Sequence, residues 1–197
     1  MQTKALTVEL LRNVSIGNLK GVELLIEKGA KINGLQRETP LGIAILKQRH
    51  KAFDLLVLKG ADISKPHQGK SLLEVAVKAK NLKAVDKLLQ KGADPNQVVV
   101  DMIIVPEAPE NNVVTVKTLL MIAIELKDYD VTRSLLKAGA NPLLNAGRYD
   151  TAFDTAMDCE RCEEYFHQLR QGIKRPLTRS EAEKIERYIL RTRERDN

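Results

Sequence analysis

Apolar positions recur along this chain in short bursts of helical spacing, each closed by a polar break or a glycine. In residues 39–62, TPLGIAILKQRHKAFDLLVLKGAD, Leu41, Ala44 and Ile45 fall on one helical face; after the polar stretch, Phe53, Leu55 and Leu56 do so again. The spacing predicts two short amphipathic helices joined by a turn. Thr39 can cap the first, and Pro40 fits its opening turn, where the missing N–H is not needed. Gly60 supplies the left-handed residue that stops the second. Residues 71–94 and 118–141 follow the same grammar, and Pro95 and Pro142 stand just past the Gly-Ala stops.

The period is fixed. Gly60, Gly92 and Gly139 each lie 21 residues after Thr39, Ser71 and Thr118, and the rule extends to Thr151 and Gly172. With a divergent first copy ending at Gly29-Ala30, five repeats are expected at 6–34, 35–66, 67–97, 118–146 and 147–173. A single repeat leaves an apolar face bare, so stability is expected from stacking, at about 1.5–3 kcal/mol per buried Leu or Ile.

Thr39-Pro40-Leu41 with Ala44, then Leu55-Leu56 and Gly60-Ala61-Asp62, resembles the ankyrin repeat over roughly residues 6–172, and Asn33 and Asn96 match the family's Asn four residues after the Gly. The resemblance implies an all-α fold, an ankyrin-repeat solenoid of about five helix-turn-helix units with short β-hairpin fingers, one of them extended. At the family's histidine this chain has Gly42, Glu74, Met121 and Asp154. The hydrogen bonds usually made there are therefore not expected, and single repeats are read as marginally stable.

Ser71 and Thr118 are 47 residues apart, whereas the other openers are separated by 32 and 33. The insertion, 98–117, is β-branched around Pro106 and Pro109, which predicts a hairpin with Val98–Val105 pairing back on Val113–Val116. If it projects, it offers Met102, Ile104 and Val105 to another protein; the alternative is that its apolar side pads the array. Residues 174–197 form a separate C-terminal segment, read as a helix over Leu177–Arg193 with Thr178 and Glu181 as a capping box and Ala182, Ile185 and Ile189 as a stripe. It is read as closing the stack, against a free arm awaiting a partner.

The resemblance also implies a concave partner-binding face. The matching positions are Gln36, Glu38 and Lys47; His67, Gln68, Lys70 and Lys78; Lys117 and Glu125; and Arg148, Asp150 and Asp158. The implied function is a protein–protein interaction module, a scaffold, adaptor or inhibitor acting through this face and the hairpin. Alternatives are an adaptor or secreted bacterial effector whose C-terminal helix docks into a larger complex, and a nucleic-acid-associated factor using the basic tail.

Composition narrows these classes. The 32 basic and 26 acidic residues read as mixed along the whole length, with no block forming an electrostatic arm. Three Phe, four Tyr and no Trp argue against stacking platforms for single strands. In the tail, Glu181, Glu183, Glu186 and Glu194 interleave with arginines, the pattern of i to i+4 pairs. Cys159 and Cys162, with His167, fall short of a four-ligand zinc set, and acidic pairs such as Glu163-Glu164 read as solvated faces. No phosphate loop, nucleophile elbow or metal-binding His pair occurs. The expectation is a non-enzymatic protein with no cofactor, metal, membrane contact or small-molecule substrate, monomeric unless the hairpin or C-terminal helix self-associates. Two cysteines and no apolar leader within Met1–Arg12 point to the cytosol, or to a host cytosol by a route that needs no leader.

Overall fold

The computed structural model describes residues 2–35, 37–103, 113–146, 151–157, 162–173, 176–180, 182–183 and 185–187. The chain divides into two compact units, Met1–Ala93 and Asp94–Asn197.

In the N-terminal unit the helical bursts become three pairs. They are α1 (Gln2–Ile16) with α2 (Leu19–Glu27), α3 (Pro40–Leu46) with α4 (His50–Leu58), and α5 (Leu72–Lys78) with α6 (Leu82–Gln90). The first helices of the pairs pack in series, as do the second, which makes two layers. Leu10, Val14, Leu41, Ile45, Leu56, Leu73, Val85 and Leu88 fill the space between the layers, each at most 2% exposed. Helix α1 begins one turn earlier than the repeat boundary at residue 6.

Local chemistry explains where each helix starts and stops. The side chains of Thr39 and Ser71 accept from the N–H of Gly42 and Glu74 at 3.1 and 3.0 Å, satisfying donors that an uncapped helix leaves bare. Two of the three second helices have caps of their own, since Asn18 accepts from Gly21 and Asn81 from Ala84, whereas Arg49 before α4 makes no such bond. At the far ends, Gly29, Gly60 and Gly92 adopt φ of 87°, 88° and 88°. The N–H of the following alanine then returns to the carbonyl five residues back, the Schellman closure.

The pairs are also tied side to side. Asn81 Nδ2 donates to the carbonyl of Ile45 at 2.9 Å, and Arg49 Nε to that of Ser15 at 3.0 Å. In the connecting fingers, Leu35 bridges Glu38 and His67 bridges Lys70, and the N–H of Gln68 donates to the carbonyl of Arg37 at 2.6 Å. Asn33 Oδ1 accepts from the N–H of Asp62 at 2.8 Å, so one repeat's loop orders the next.

The C-terminal unit opens with a two-stranded antiparallel ribbon, β1 (Val98–Ile103) and β2 (Val113–Thr118), in which Val100 faces Val116 and Val98 faces Thr118. Thr118 ends β2 and, through its side chain, caps α7 (Leu119–Glu125) at 3.2 Å from the N–H of Met121. Helix α7 packs on α8 (Tyr129–Lys137) and α9 (Ala152–Met157), and α10 (Cys162–Gly172) packs on α8 and α9. Leu119, Ile124, Leu135, Phe153 and Leu169 form the core, each at most 1% exposed. Asn96 repeats the role of Asn33: its Oδ1 accepts from the N–H of Asn141 at 2.7 Å, and its Nδ2 reaches the carbonyl of Gly139 at 3.3 Å. Residues 179–180, 182–183 and 185–187 are helical, and Ile185 is 5% exposed. Glu181 and Ile189 lie outside the described residues. Among the described residues no helix is long and apolar enough to cross a membrane.

Candidate protein-binding surface

The positions where the family's histidine is missing are not left empty. A β-carbon built on Gly42 would fall on the imidazole ring of His67, which comes from the next finger and fills that space. His67 Nδ1 accepts from the N–H of Thr39 at 3.1 Å and lies 3.2 Å from its hydroxyl. At two other openers the replacement residue does this itself. Asp154 Oδ2 accepts from the N–H and hydroxyl of Thr151 at 2.7 and 2.8 Å, and Met121 Sδ lies 3.5 Å from the N–H of Thr118. The expectation that bonding is lost at these openers is therefore corrected at three of them, and His67, expected on the partner-binding face, is turned inward. Its ring is 2% exposed and engaged inside the fold. Burial lowers its pKa below the usual histidine value, with the carboxylate of Glu38 opposing the shift.

The remaining predicted residues of the N-terminal unit lie at the fingers and at the ends of the first helices. Glu38, Lys47, Gln68 and Lys70 are exposed, and Lys78 is half-buried. Glu74 draws two of them together, its Oε1 lying 3.7 Å from Lys70 Nζ and 2.9 Å from Lys78 Nζ. The corresponding pair in the C-terminal unit, Lys117 and Glu125, meets directly at 2.6 Å. In each of these two repeats the residue before the opener and the one ending the first helix are thus linked through an ion pair. Gln36, Ile104, Val105, Arg148, Asp150 and Asp158 lie outside the described residues, as does the side chain of Met102.

The ribbon has two unlike faces, because side chains alternate along a strand. Val99 is 6% exposed, whereas Val98, Val100 and Val114 are 47%, 65% and 54% exposed. Val100 and Val98 belong to the same face as Val116 and Val114 in the observed register.

Residues 10–99 match the family model for ankyrin repeats (3 copies). The chain carries ankyrin repeats. Such repeats are generally protein–protein interaction modules, and the polar residues described above lie on their fingers and first helices. No curated protein matches this chain.

Division into units also changes the electrostatic picture. Residues 1–93 hold 17 basic against 8 acidic residues, and residues 94–197 hold 15 against 18. The charge that reads as evenly mixed over the whole length is an excess of nine cations on the ankyrin repeats of the N-terminal unit. Counting by repeat rather than over the full chain reveals it in the sequence. In the tail, Arg179 Nε pairs with Glu183 at 3.0 Å, the i to i+4 pattern. Cys159 and the side chains of Cys162 and Glu163 lie outside the described residues, Glu164 is exposed, and His167 Nε2 stands 2.8 Å from Gln171 Nε2.

Proposed function

We propose that this ankyrin-repeat protein is a non-enzymatic interaction module, a scaffold, adaptor or inhibitor. It grips a protein partner through the finger rim of Glu38, Lys47, Gln68, Lys70 and Lys78 and through the outer face of the ribbon. The observation that carries this reading is the strip of Val98, Val100 and Val114. Three large aliphatic side chains side by side in water on a two-stranded ribbon are a standing surface for association. The outer edges of a two-stranded ribbon suit an extended segment of the partner. The cationic excess of residues 1–93 supports an acidic partner, since opposite charge speeds encounter and excludes cationic competitors. Stacked, hydrogen-bonded helices hold these groups before encounter, so little ordering entropy is lost. We place the protein in the cytosol and assign it five repeats, with the C-terminal segment closing the last.

The test uses the full chain. Val100→Asp with Val114→Asp alters only exposed positions and is expected to keep the wild-type melting temperature while losing the protein that wild type captures from cell extract. Capture undiminished by this double variant rejects the ribbon face.

A further inference from the structure

Helices α8 and α10 of the C-terminal unit enclose an open cavity of about 550 Å³, a size that accepts a small organic group. Its walls differ in chemistry. From α8 come Tyr129, Arg133, Leu136 and Lys137; from α10 come His167, Gln168, Gln171 and Gly172. At one end the helices nearly touch, since a β-carbon on Gly172 would lie 2.6 Å from Leu136 Cδ2. Tyr129 meets Tyr165 edge-on with centroids 5.8 Å apart, bracing the aromatic wall.

Three observations bear on what this cavity takes. Arg133 and Lys137 sit one turn apart on the same helix and line it, and among the described residues no carboxylate joins them in the lining, in a unit whose charged residues sum to an acidic excess. The guanidinium of Arg133 lies 5.2 Å from the ring centroid of Tyr129, which orients its planar fork without consuming its N–H donors. Gln168 is only 6% exposed, and among the described residues neither its amide oxygen nor its amide nitrogen has a hydrogen-bond partner. A buried amide unmatched at both atoms is disfavoured, so its retention against a cationic cavity calls for a polar visitor.

The geometry points to a binding site for a carboxylate carried on a small apolar or aromatic body. The carboxylate would face the fork of Arg133 and the ammonium of Lys137, with the body against Tyr129 and Leu136. A side-chain rotation of Gln168 would bring its amide to the ligand. Arg prefers carboxylates through paired, charge-assisted bonds, which sets this site apart from a merely greasy groove. The site is independent of the rim and ribbon. Two sources share the chemistry, a free organic acid and the C-terminal residue of a peptide.

The test is a titration of the full chain followed by the NMR signals of the Gln168 and Gln171 side-chain amides. The probes are N-acetyl-phenylalanine, its carboxamide, and the peptide Gly-Gly-Gly-Phe with a free or an amidated end. Saturable shifts are expected with the acids and about tenfold weaker binding with the amides. Arg133→Ala is expected to weaken the acids at least about fivefold and to erase the acid-over-amide preference, while Arg133→Lys keeps part of it. Tighter binding of the free-ended peptide than of N-acetyl-phenylalanine assigns the site to a chain end, and the reverse order to a free acid. Equal response to acid and amide, or no saturable shift by about 10 mM, overturns the assignment.

Discussion

His67 completes the helix cap of Thr39, a residue 28 positions earlier, by accepting its backbone N–H at 3.1 Å. Because the ring occupies the space over Gly42, the two positions form one packing decision. His67→Ala should remove the ring and leave the Thr39 N–H unmatched, at a loss of about 2–4 kcal/mol. Gly42→Ala should be destabilising in the wild type through overpacking, yet nearly neutral in the His67→Ala background. Chemical denaturation of the four proteins reads the coupling, and strictly additive losses would separate the two positions.

The same contact makes stability depend on pH. Nδ1 must be unprotonated to accept, and burial lowers the folded-state pKa of His67 from its ordinary 6.5. A lowered histidine pKa means that the unfolded chain takes up the proton first. The contribution is therefore complete above about pH 6.5 and declines as pH falls from there toward the folded-state value. His50, also lowered by partial burial and by Lys83 and Lys87, acts in the same direction. Urea melts from pH 8 to pH 5 should show a smaller fall for His67→Ala than for wild type, and an identical profile would remove His67 from the account.

Asn96 spans two loops of the C-terminal unit with both ends of its amide. Asn96→Ala should cost about 0.5–1.5 kcal/mol, because water can replace the acceptor at the exposed Asn141 N–H, and Asn96→Asp should retain part of the loss-free state through its remaining oxygens. Thermal unfolding of the two variants gives the order.

The ribbon should answer oppositely on its two faces. Val99→Asp buries a charge and should lower the melting temperature by several degrees, whereas Val100→Asp should leave it within about one degree. Equal effects on the two would mean that the exposed valines also pack.

An acidic partner on the N-terminal unit should bind less tightly as salt rises. Lys47→Glu with Lys78→Glu should weaken it at least about fivefold at low salt and flatten the salt dependence, mainly through slower association. Unchanged binding kinetics would move the contact off this rim.

Much of the fold is legible in the sequence because its determinants are local. Thr39, Ser71 and Thr118 cap through side chains three residues from their donors, and Gly60, Gly92 and Gly139 stop helices by their own backbone freedom. What escapes a reading by period is what one repeat does for another. His67 looks like a finger-tip polar residue until the missing β-carbon at Gly42 gives it somewhere to go. Gln48, Lys80 and Lys127 hold φ of 52°, 51° and 55° in the turn where the first repeat uses Gly17, so no glycine marks that bend. Gln168 and Arg133 approach only when α8 and α10 are folded together, and no spacing announces it.

Thr118 is at once the last residue of β2 and the cap of α7. No slack separates ribbon from helix. Pulling the end of β2 away therefore strips α7 of its first hydrogen bond, so unzipping the ribbon and fraying the helix are one event.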